Sequence, residues 1–171
     1  AKKIYELIIN KGKDFNLSNC GMHAMDIMRM ESGFLHWGHD ISPEENQYQA
    51  GLAFTISNKK DVDFIGKQAL EKIKKEKTKS RFAMFTLKES EPGKPLLLHD
   101  EPIYIDDKII GRSTSGNYSF NFKKNLVFGY IENNLSNEEL QTKNLFIEVE
   151  KHKYPISVQL GPLKRTDFKN L

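Results

Sequence analysis

The sequence holds few of the residues that tie extracellular or redox proteins together. Its 171 residues include one cysteine, Cys20, so neither an internal disulfide nor a CxxC redox pair is available. A solitary cysteine is typical of a reducing compartment, and we expect a cytoplasmic protein. No apolar run approaches the roughly 20 residues of a membrane-spanning helix, and no signal peptide is recognisable. We therefore expect no membrane partner.

The sequence also lacks an excess of either charge. Its 26 basic and 23 acidic residues are interspersed and give a net charge of +3. Nucleic-acid binding proteins concentrate basic residues on one face, and no such stripe is visible here. The most basic run, residues 71–79, reads as the solvated end of a helix. We therefore expect no nucleic-acid partner.

Motifs for phosphate binding and nucleophilic catalysis are absent as well. There is no GxGxxG and no GKS or GKT sequence, and no Ser-His-Asp or Cys-His arrangement can be inferred. Residues 111–116, GRSTSG, superficially resemble an anion-binding turn, but we interpret them as a β-turn between strands. The sequence predicts no catalytic residue of its own.

The residues that are unusual lie together in segment 21–40, GMHAMDIMRMESGFLHWGHD. It contains three of the five histidines and the single tryptophan, Trp37. Apolar residues at helical spacing predict a helix that Gly33 ends, followed by an aromatic loop over 34–40. Arg29 and Glu31 are two residues apart and cannot face each other on a helix, so each should pair elsewhere. The H-x-x-H-D sequence matches no common metal spacing, and we predict no metal site.

Hydrophobic periodicity divides the rest of the chain into two parts. Helices are predicted over residues 2–11 and 64–75, with a buried strand over 51–57. Between residues 74 and 81 the period changes from 3.6 to 2, which predicts a small β-barrel or sandwich. Its six strands are predicted at 81–87, 103–105, 108–111, 126–131, 145–149 and 156–160. Turns are predicted at 91–93, 106–107 and 133–137.

Segment 21–40 resembles the pattern A-R-D-x-x-R-x-E-x-G-x-x-x-[YW]-G-x-D of the glycine cleavage T-protein (aminomethyltransferase) family. The matching positions are Ala24, Asp26, Arg29, Glu31, Gly33, Trp37, Gly38 and Asp40. The resemblance continues in order through residues 50–52, 63–70, 101–103 and 114–119, and so covers nearly the whole chain. Trp37, and Met25 where T-proteins have an arginine near the folate, favour the branch of dimethylglycine and sarcosine dehydrogenases.

The resemblance implies an α+β fold with two domains. Residues 1–77 would be the C-terminal part of a ferredoxin-like α/β folate-binding domain, and residues 78–171 a small antiparallel β-barrel. The chain would be a piece of something longer, whose upstream half and flavin domain are its expected partners. We also expect an incomplete apolar core that the upstream half or a second copy of the chain covers. Its members are Ile4, Leu7, Ile27, Phe54, Ile65 and Leu70.

The implied function is the tetrahydrofolate-binding portion of an enzyme that passes a methylene group from an N-methyl amine to tetrahydrofolate. The resemblance places Phe34, Trp37 and Met25 near the pterin, and Arg165 beside Lys164 near the glutamate tail. The acidic catalytic residue would come from outside this chain, and FAD would bind only in a domain that the chain lacks. The alternative is a stand-alone, non-catalytic folate-binding or interaction module of the same fold. An upstream flavin region would decide between them.

Overall fold

The computed structural model of the chain describes residues 1–56, 63–76 and 78–160. Four helices lie in this part of the chain: α1 (Lys2–Gly12), α2 (Met22–Glu31), α3 (Lys67–Lys75) and α4 (Asn137–Thr142). Six strands follow α3 and enclose α4: β1 (Ser80–Leu87), β2 (Pro102–Ile105), β3 (Lys108–Ser119), β4 (Lys124–Glu132), β5 (Leu145–Val149) and β6 (His152–Gln159). Among the described residues, no helix combines the length and the apolar character needed to cross a bilayer.

The six strands close into a barrel in the order β1-β4-β3-β2-β5-β6. Every pair is antiparallel, and β1 pairs with β6 to complete the ring. The predicted helical N-terminal region and the antiparallel C-terminal barrel are therefore confirmed. All six predicted strands exist, and Asp106 and Asp107 form the predicted hairpin turn between β2 and β3.

The barrel interior holds the main hydrophobic core. Its centre is formed by large side chains that are buried completely or nearly so: Phe85, Leu87, Ile103, Val127, Ile131, Ile147 and Ile156. Strands β3 and β4 approach each other closely at Gly129, where a Cβ atom would lie 2.5 Å from the carbonyl oxygen of Arg112. A side chain at this position would push the two backbones apart, so the glycine permits the tight closure of the barrel.

Two predicted elements differ in the structure, and one helix was not predicted. The predicted buried strand over 51–57 is absent from residues 51–56, because residues 53–55 form a 3₁₀ turn and Phe54 is exposed, while residue 57 lies outside the described residues. The GRSTSG segment is not a turn but the middle of β3, which is twelve residues long. A helix, α4, follows the predicted 133–137 turn. Ser136 caps it in a reciprocal capping box with Glu139, a signal present in the sequence.

The six residues predicted as an N-terminal core do not pack together, but the exposed apolar surface predicted with that core is present. Of its six members, Ile4, Leu7, Phe54 and Ile65 are exposed, and Leu70 is half-buried outside both core clusters. Ile27 instead packs against a small cluster formed by Met30, Met84, Leu126 and Phe128, which joins α2 to the barrel. Helix α1 buries none of its residues. An apolar surface on the N-terminal third therefore faces outwards.

The core assignment makes a direct prediction about stability. Replacing the fully buried Phe85 by alanine should lower the free energy of unfolding by about 3–5 kcal/mol, because it removes apolar contacts and leaves a cavity. The same change at Phe120, which is exposed, should cost less than about 1 kcal/mol. Urea unfolding followed by circular dichroism measures both, and equal losses would contradict the assigned core.

Candidate functional site

Helix α2 ends in a way that sets the path of the aromatic loop. Gly33 adopts φ +76°, a left-handed conformation that glycine reaches without steric cost. The Gly33 amide donates to the carbonyl of Met30 (3.0 Å), and the Phe34 amide donates to that of Arg29 (2.8 Å). These two bonds form a Schellman motif. The predicted glycine stop is confirmed, and loop 34–40 leaves the helix in one defined direction.

Asp40 holds the far end of this loop. Its side chain is fully buried, and its two oxygens accept hydrogen bonds from four donors. Oδ2 accepts from an Arg29 Nη1 and from the backbone amide of His36 (2.9 Å). Oδ1 accepts from the hydroxyls of Thr114 (2.6 Å) and Ser115 (2.8 Å) on β3. The carboxylate thus joins the loop, helix α2 and the barrel at one point.

A β-bulge explains how two consecutive residues of β3 reach the same carboxylate. Successive side chains of a regular strand point to opposite faces of the sheet. The β3–β4 register shifts between Ser113 and Ser115, so Thr114 is an extra residue without a partner across the ladder. Bulges redirect side chains in this way, and here both hydroxyls face Asp40.

Arg29 is the cation of this buried network. Its guanidinium donates to Asp40, to Asp26 (2.8 Å) and to the Ser115 hydroxyl (2.7 Å), and it lies 5.3 Å from the centre of the Phe128 ring. It also donates to the carbonyl of Phe34 (3.3 Å) at the start of the loop. Arg29 therefore has a structural role, which is to hold the loop in place.

Glu31 makes a second connection between α2 and the barrel. The carboxylate is 2% exposed and accepts hydrogen bonds from the Ser119 hydroxyl and from the Asn121 amide (2.7 Å). The prediction that Arg29 and Glu31 pair elsewhere is confirmed, and both have structural roles beside the loop.

The aromatic residues themselves project into solvent. Phe34 is 67% exposed and Trp37 is 65% exposed. The loop backbone is nevertheless fixed, because the Gly38 amide donates to the carbonyl of Ile41 (2.9 Å) and the Asp40 amide to that of His36 (2.9 Å). Both aromatic side chains are therefore exposed on a loop whose path is set by hydrogen bonds at its two ends.

The other predicted site residues have separate positions. Met25 lies on α2 and is exposed. Arg165, together with Lys164, falls outside the described residues. The rings of His36 and His39 lie 4.6 Å apart, and the described part of the chain contains no cluster of three His, Cys, Asp or Glu residues suited to a metal ion.

The structure also contains a cavity that the sequence did not indicate. It has a volume of about 450 Å³ and lies between residues 39–45 and strands β3 and β4. Tyr130 of β4 lines it; its hydroxyl is buried and has no hydrogen-bond partner among the described residues. We call this space the Tyr130 cavity. Since its walls come from segments far apart in the sequence, no local pattern marks it.

Two family models match the chain. One describes the GCVT N-terminal domain and matches residues 1–60. The other describes the glycine cleavage T-protein C-terminal barrel domain and matches residues 81–164, which cover the six strands except Ser80, the first residue of β1.

Individual proteins similar to the chain are much longer than it is. Human mitochondrial dimethylglycine dehydrogenase is 33% identical over 96% of the chain, which spans 18% of that protein. The mouse mitochondrial pyruvate dehydrogenase phosphatase regulatory subunit is 27% identical over 95% of the chain, which spans 20% of it. The crystal structure of aminomethyltransferase T from Bartonella henselae has a TM-score of 0.77 and 21% identity, covering 94% of this chain and 44% of that one.

The buried ion pair predicts an asymmetry between two Arg–Asp pairs. Asp40→Asn should lower the free energy of unfolding by about 3 kcal/mol, because the Arg29 guanidinium, 14% exposed, loses its fully buried counter-charge and keeps only the more exposed Asp26. Asp100→Asn removes the partner of Arg112 in a pair that is 55% and 71% exposed. It should cost less than about 1 kcal/mol. Urea unfolding measures both values.

The same two variants test whether Asp40 fixes the loop. Trp37 is the sole tryptophan, so anisotropy measured with selective tryptophan excitation reports on the local motion of this loop together with the tumbling of the whole molecule. We expect Asp40→Asn to lower the anisotropy under native conditions and Asp100→Asn to leave it unchanged. Unaltered anisotropy in folded Asp40→Asn would show that the loop is held by other contacts.

Proposed function

Because the chain belongs to the glycine cleavage T-protein family, we propose that it supplies one wall of a tetrahydrofolate-binding site. The observation that carries this proposal is the pair of exposed aromatics, Phe34 and Trp37, on a loop fixed at both ends. A pterin ring is flat and polarisable, and aromatic side chains stack on such rings.

The loop can stack on a pterin ring, but other parts of the protein would have to bind the polar edge of that ring. Phe34 and Trp37 offer apolar faces for stacking, while the charges of Arg29 and Asp40 are satisfied by each other and by β3. The polar edge of the pterin would therefore find its partners outside this loop. In the proposed complex, Phe34 and Trp37 hold the ring, Met25 lines its approach on α2, and Arg165 meets the glutamate tail.

We further propose that the chain works within a larger one-carbon-transfer enzyme. When bound, tetrahydrofolate supplies the nitrogen that accepts the one-carbon unit. This chain's own contribution is binding and orientation, and the catalytic acid comes from elsewhere. FAD, where the enzyme uses it, binds in another region. The chain spans less than half of the length of dimethylglycine dehydrogenase and of aminomethyltransferase T, which leaves room for both. A cytoplasmic location remains part of the proposal.

The partner that we propose is the remainder of a T-protein fold, seated on the exposed apolar surface. An eleven-residue helix is only marginally stable in water without tertiary packing, and α1 buries none of its residues against the described chain. Ile4, Leu7 and Ile8 lie exposed on it. Covering them would stabilise α1, and a second copy of the chain is the other occupant that fits.

A non-catalytic role is the second candidate. It is favoured by the similarity, over nearly the whole chain, to a protein named as the regulatory subunit of a phosphatase. A folate-binding or interaction module of this kind would retain the loop and need no catalytic acid. Assay of methylene transfer by the complete protein separates the two, because a module would bind folate and turn over no amine.

Folate binding predicts a specific effect of Phe34. In a ¹H–¹⁵N spectrum of the 171-residue chain, Trp37 gives the single indole N–H signal, which makes even weak binding measurable. Titration with 5-formyltetrahydrofolate should move this signal, with weak affinity because enclosure supplies most small-ligand affinity. Phe34→Ala should weaken binding roughly 5- to 150-fold, equivalent to about 1–3 kcal/mol per stacked ring.

Phe120→Ala is the matched control, since Phe120 is an exposed phenylalanine of the barrel. It should leave the dissociation constant unchanged. An unchanged constant in Phe34→Ala would remove Phe34 from the site. Tight binding by the 171-residue chain would show that the chain holds the whole site.

The exposed apolar surface predicts association that depends on concentration. Sedimentation velocity should show faster-sedimenting species as the concentration of the chain rises, and the double change Leu7→Ser with Ile8→Ser should reduce them. Removing the exposed leucines of the barrel, Leu96→Ser with Leu98→Ser, serves as the control and should have little effect. A monomer at all concentrations would argue against an adhesive surface on α1.

A further inference from the structure

The Tyr130 cavity lies beside the aromatic loop and shares His39 and Asp40 with it, but not its exposed aromatic residues. Its walls include Tyr130, Ile110 and Ile131 of the barrel and Glu45 of the segment after the loop, whereas neither Phe34 nor Trp37 lines it. Its volume of about 450 Å³ falls within the usual range of small-molecule sites. Nothing in the folate proposal uses this space.

The Tyr130 hydroxyl points to a missing hydrogen-bond partner. It is buried and unpaired among the described residues, and buried polar groups in proteins are seldom left unsatisfied. Burial raises the pKa of the Tyr130 phenol above its ordinary value, and the negative charges of Glu45 and Asp40 raise it further. The group therefore stays protonated and is available to donate to an acceptor in the cavity.

Some of the charged residues that line the cavity are ion-paired and others are not. Three of its charged residues already have partners: Asp40 pairs with Arg29, Arg112 with Asp100, and Glu132 with Lys108. Glu44, Glu45 and Lys79 line the cavity without an ion pair among the described residues. They present two negative charges and one positive charge.

Glu45 is the most fixed of the three unpaired groups. Its Oε2 accepts from the backbone amide (2.8 Å) and the hydroxyl (2.6 Å) of Ser42. Its Oε1 makes no hydrogen bond within the described part of the chain. A positioned carboxylate oxygen of this kind suits a protonated amine.

We propose that the Tyr130 cavity binds a small zwitterion of the amino-acid type. Its ammonium group lies against Glu45 and Glu44, and its carboxylate accepts from the Tyr130 hydroxyl and faces Lys79. Its small apolar part fills the remaining space of the cavity, whose wall includes Ile110 and Ile131, although the side chains of both belong to the barrel core. Both charges of the ligand are matched, which neither a simple amine nor a simple acid achieves.

The test uses leucine and the two molecules that each carry half of its polar groups. These are 3-methylbutylammonium, which lacks the carboxylate, and 4-methylpentanoate, which lacks the amine. Each is titrated into the ¹⁵N-labelled chain, and the backbone amide signals of Ser42 and Gly111 are followed. We expect leucine to shift both signals with saturation, and each half-molecule to bind at least about fivefold more weakly.

Two variants separate a ligand contact from a structural role. Tyr130→Phe removes only the unpaired hydroxyl, so the midpoint of urea unfolding should stay unchanged or rise while leucine affinity falls about five- to tenfold. Tyr104→Phe is the control, because the Tyr104 hydroxyl already donates to Glu148 (2.9 Å). It should leave leucine affinity unchanged.

Several results would overturn the proposal. One is the absence of any saturable shift with leucine, which would show that the cavity does not bind a zwitterion of this type. A second is equal affinity in Tyr130→Phe and the parent chain. A third is displacement of leucine by 5-formyltetrahydrofolate, which would make the cavity part of the folate site. Simultaneous binding of both would support two separate sites.

Discussion

The buried carboxylate of Asp40 is the point on which the arrangement of this molecule depends. Removing a charged pair from water is costly, and the attraction within the pair offsets that cost only when the remaining hydrogen-bonding capacity is also used. Here all of it is used: Arg29, the His36 amide, Thr114 and Ser115 supply four donors to two oxygens. A network satisfied to this degree favours one geometry over its alternatives.

By favouring one geometry, the Asp40 network positions two surfaces, one before Asp40 in the sequence and one after it. The loop that Asp40 closes carries Phe34 and Trp37 outwards, and the segment that follows Asp40 forms one wall of the Tyr130 cavity. Exposed aromatic groups gain most in binding when their positions are set beforehand, since little conformational freedom is then lost. The attraction within the buried pair largely offsets its own desolvation cost, and its distinct contribution is to hold loop 34–40 in one conformation.

The sequence allowed much of the fold to be predicted, because the signals for it are local. Alternation over residues 81–160 revealed all six strands, and Gly33 marked the end of α2. The errors arose where tertiary contacts decide. From the sequence alone, Thr114 and Ser115 are interpreted as part of a turn. In the structure they belong to β3, where the bulge allows both hydroxyls to donate to Asp40. Tyr130 gave no signal at all, because the burial of its hydroxyl and the nearby charges of Glu45 and Asp40 exist only in the folded chain.

The distribution of buried surface explains why the candidate site lies where the N-terminal third meets the barrel. The barrel has a continuous core, whereas α1 buries nothing against the described chain. Helix α2 is attached through Met30 and Ile27 and through the two acidic connections at Asp40 and Glu31. The barrel is therefore the stable platform, and the N-terminal third depends on it and on whatever covers its apolar face. A ligand that binds the loop only in its docked conformation, as in the folate proposal, stabilises that conformation by mass action. Ligand affinity and the docking of the N-terminal third should accordingly rise and fall together.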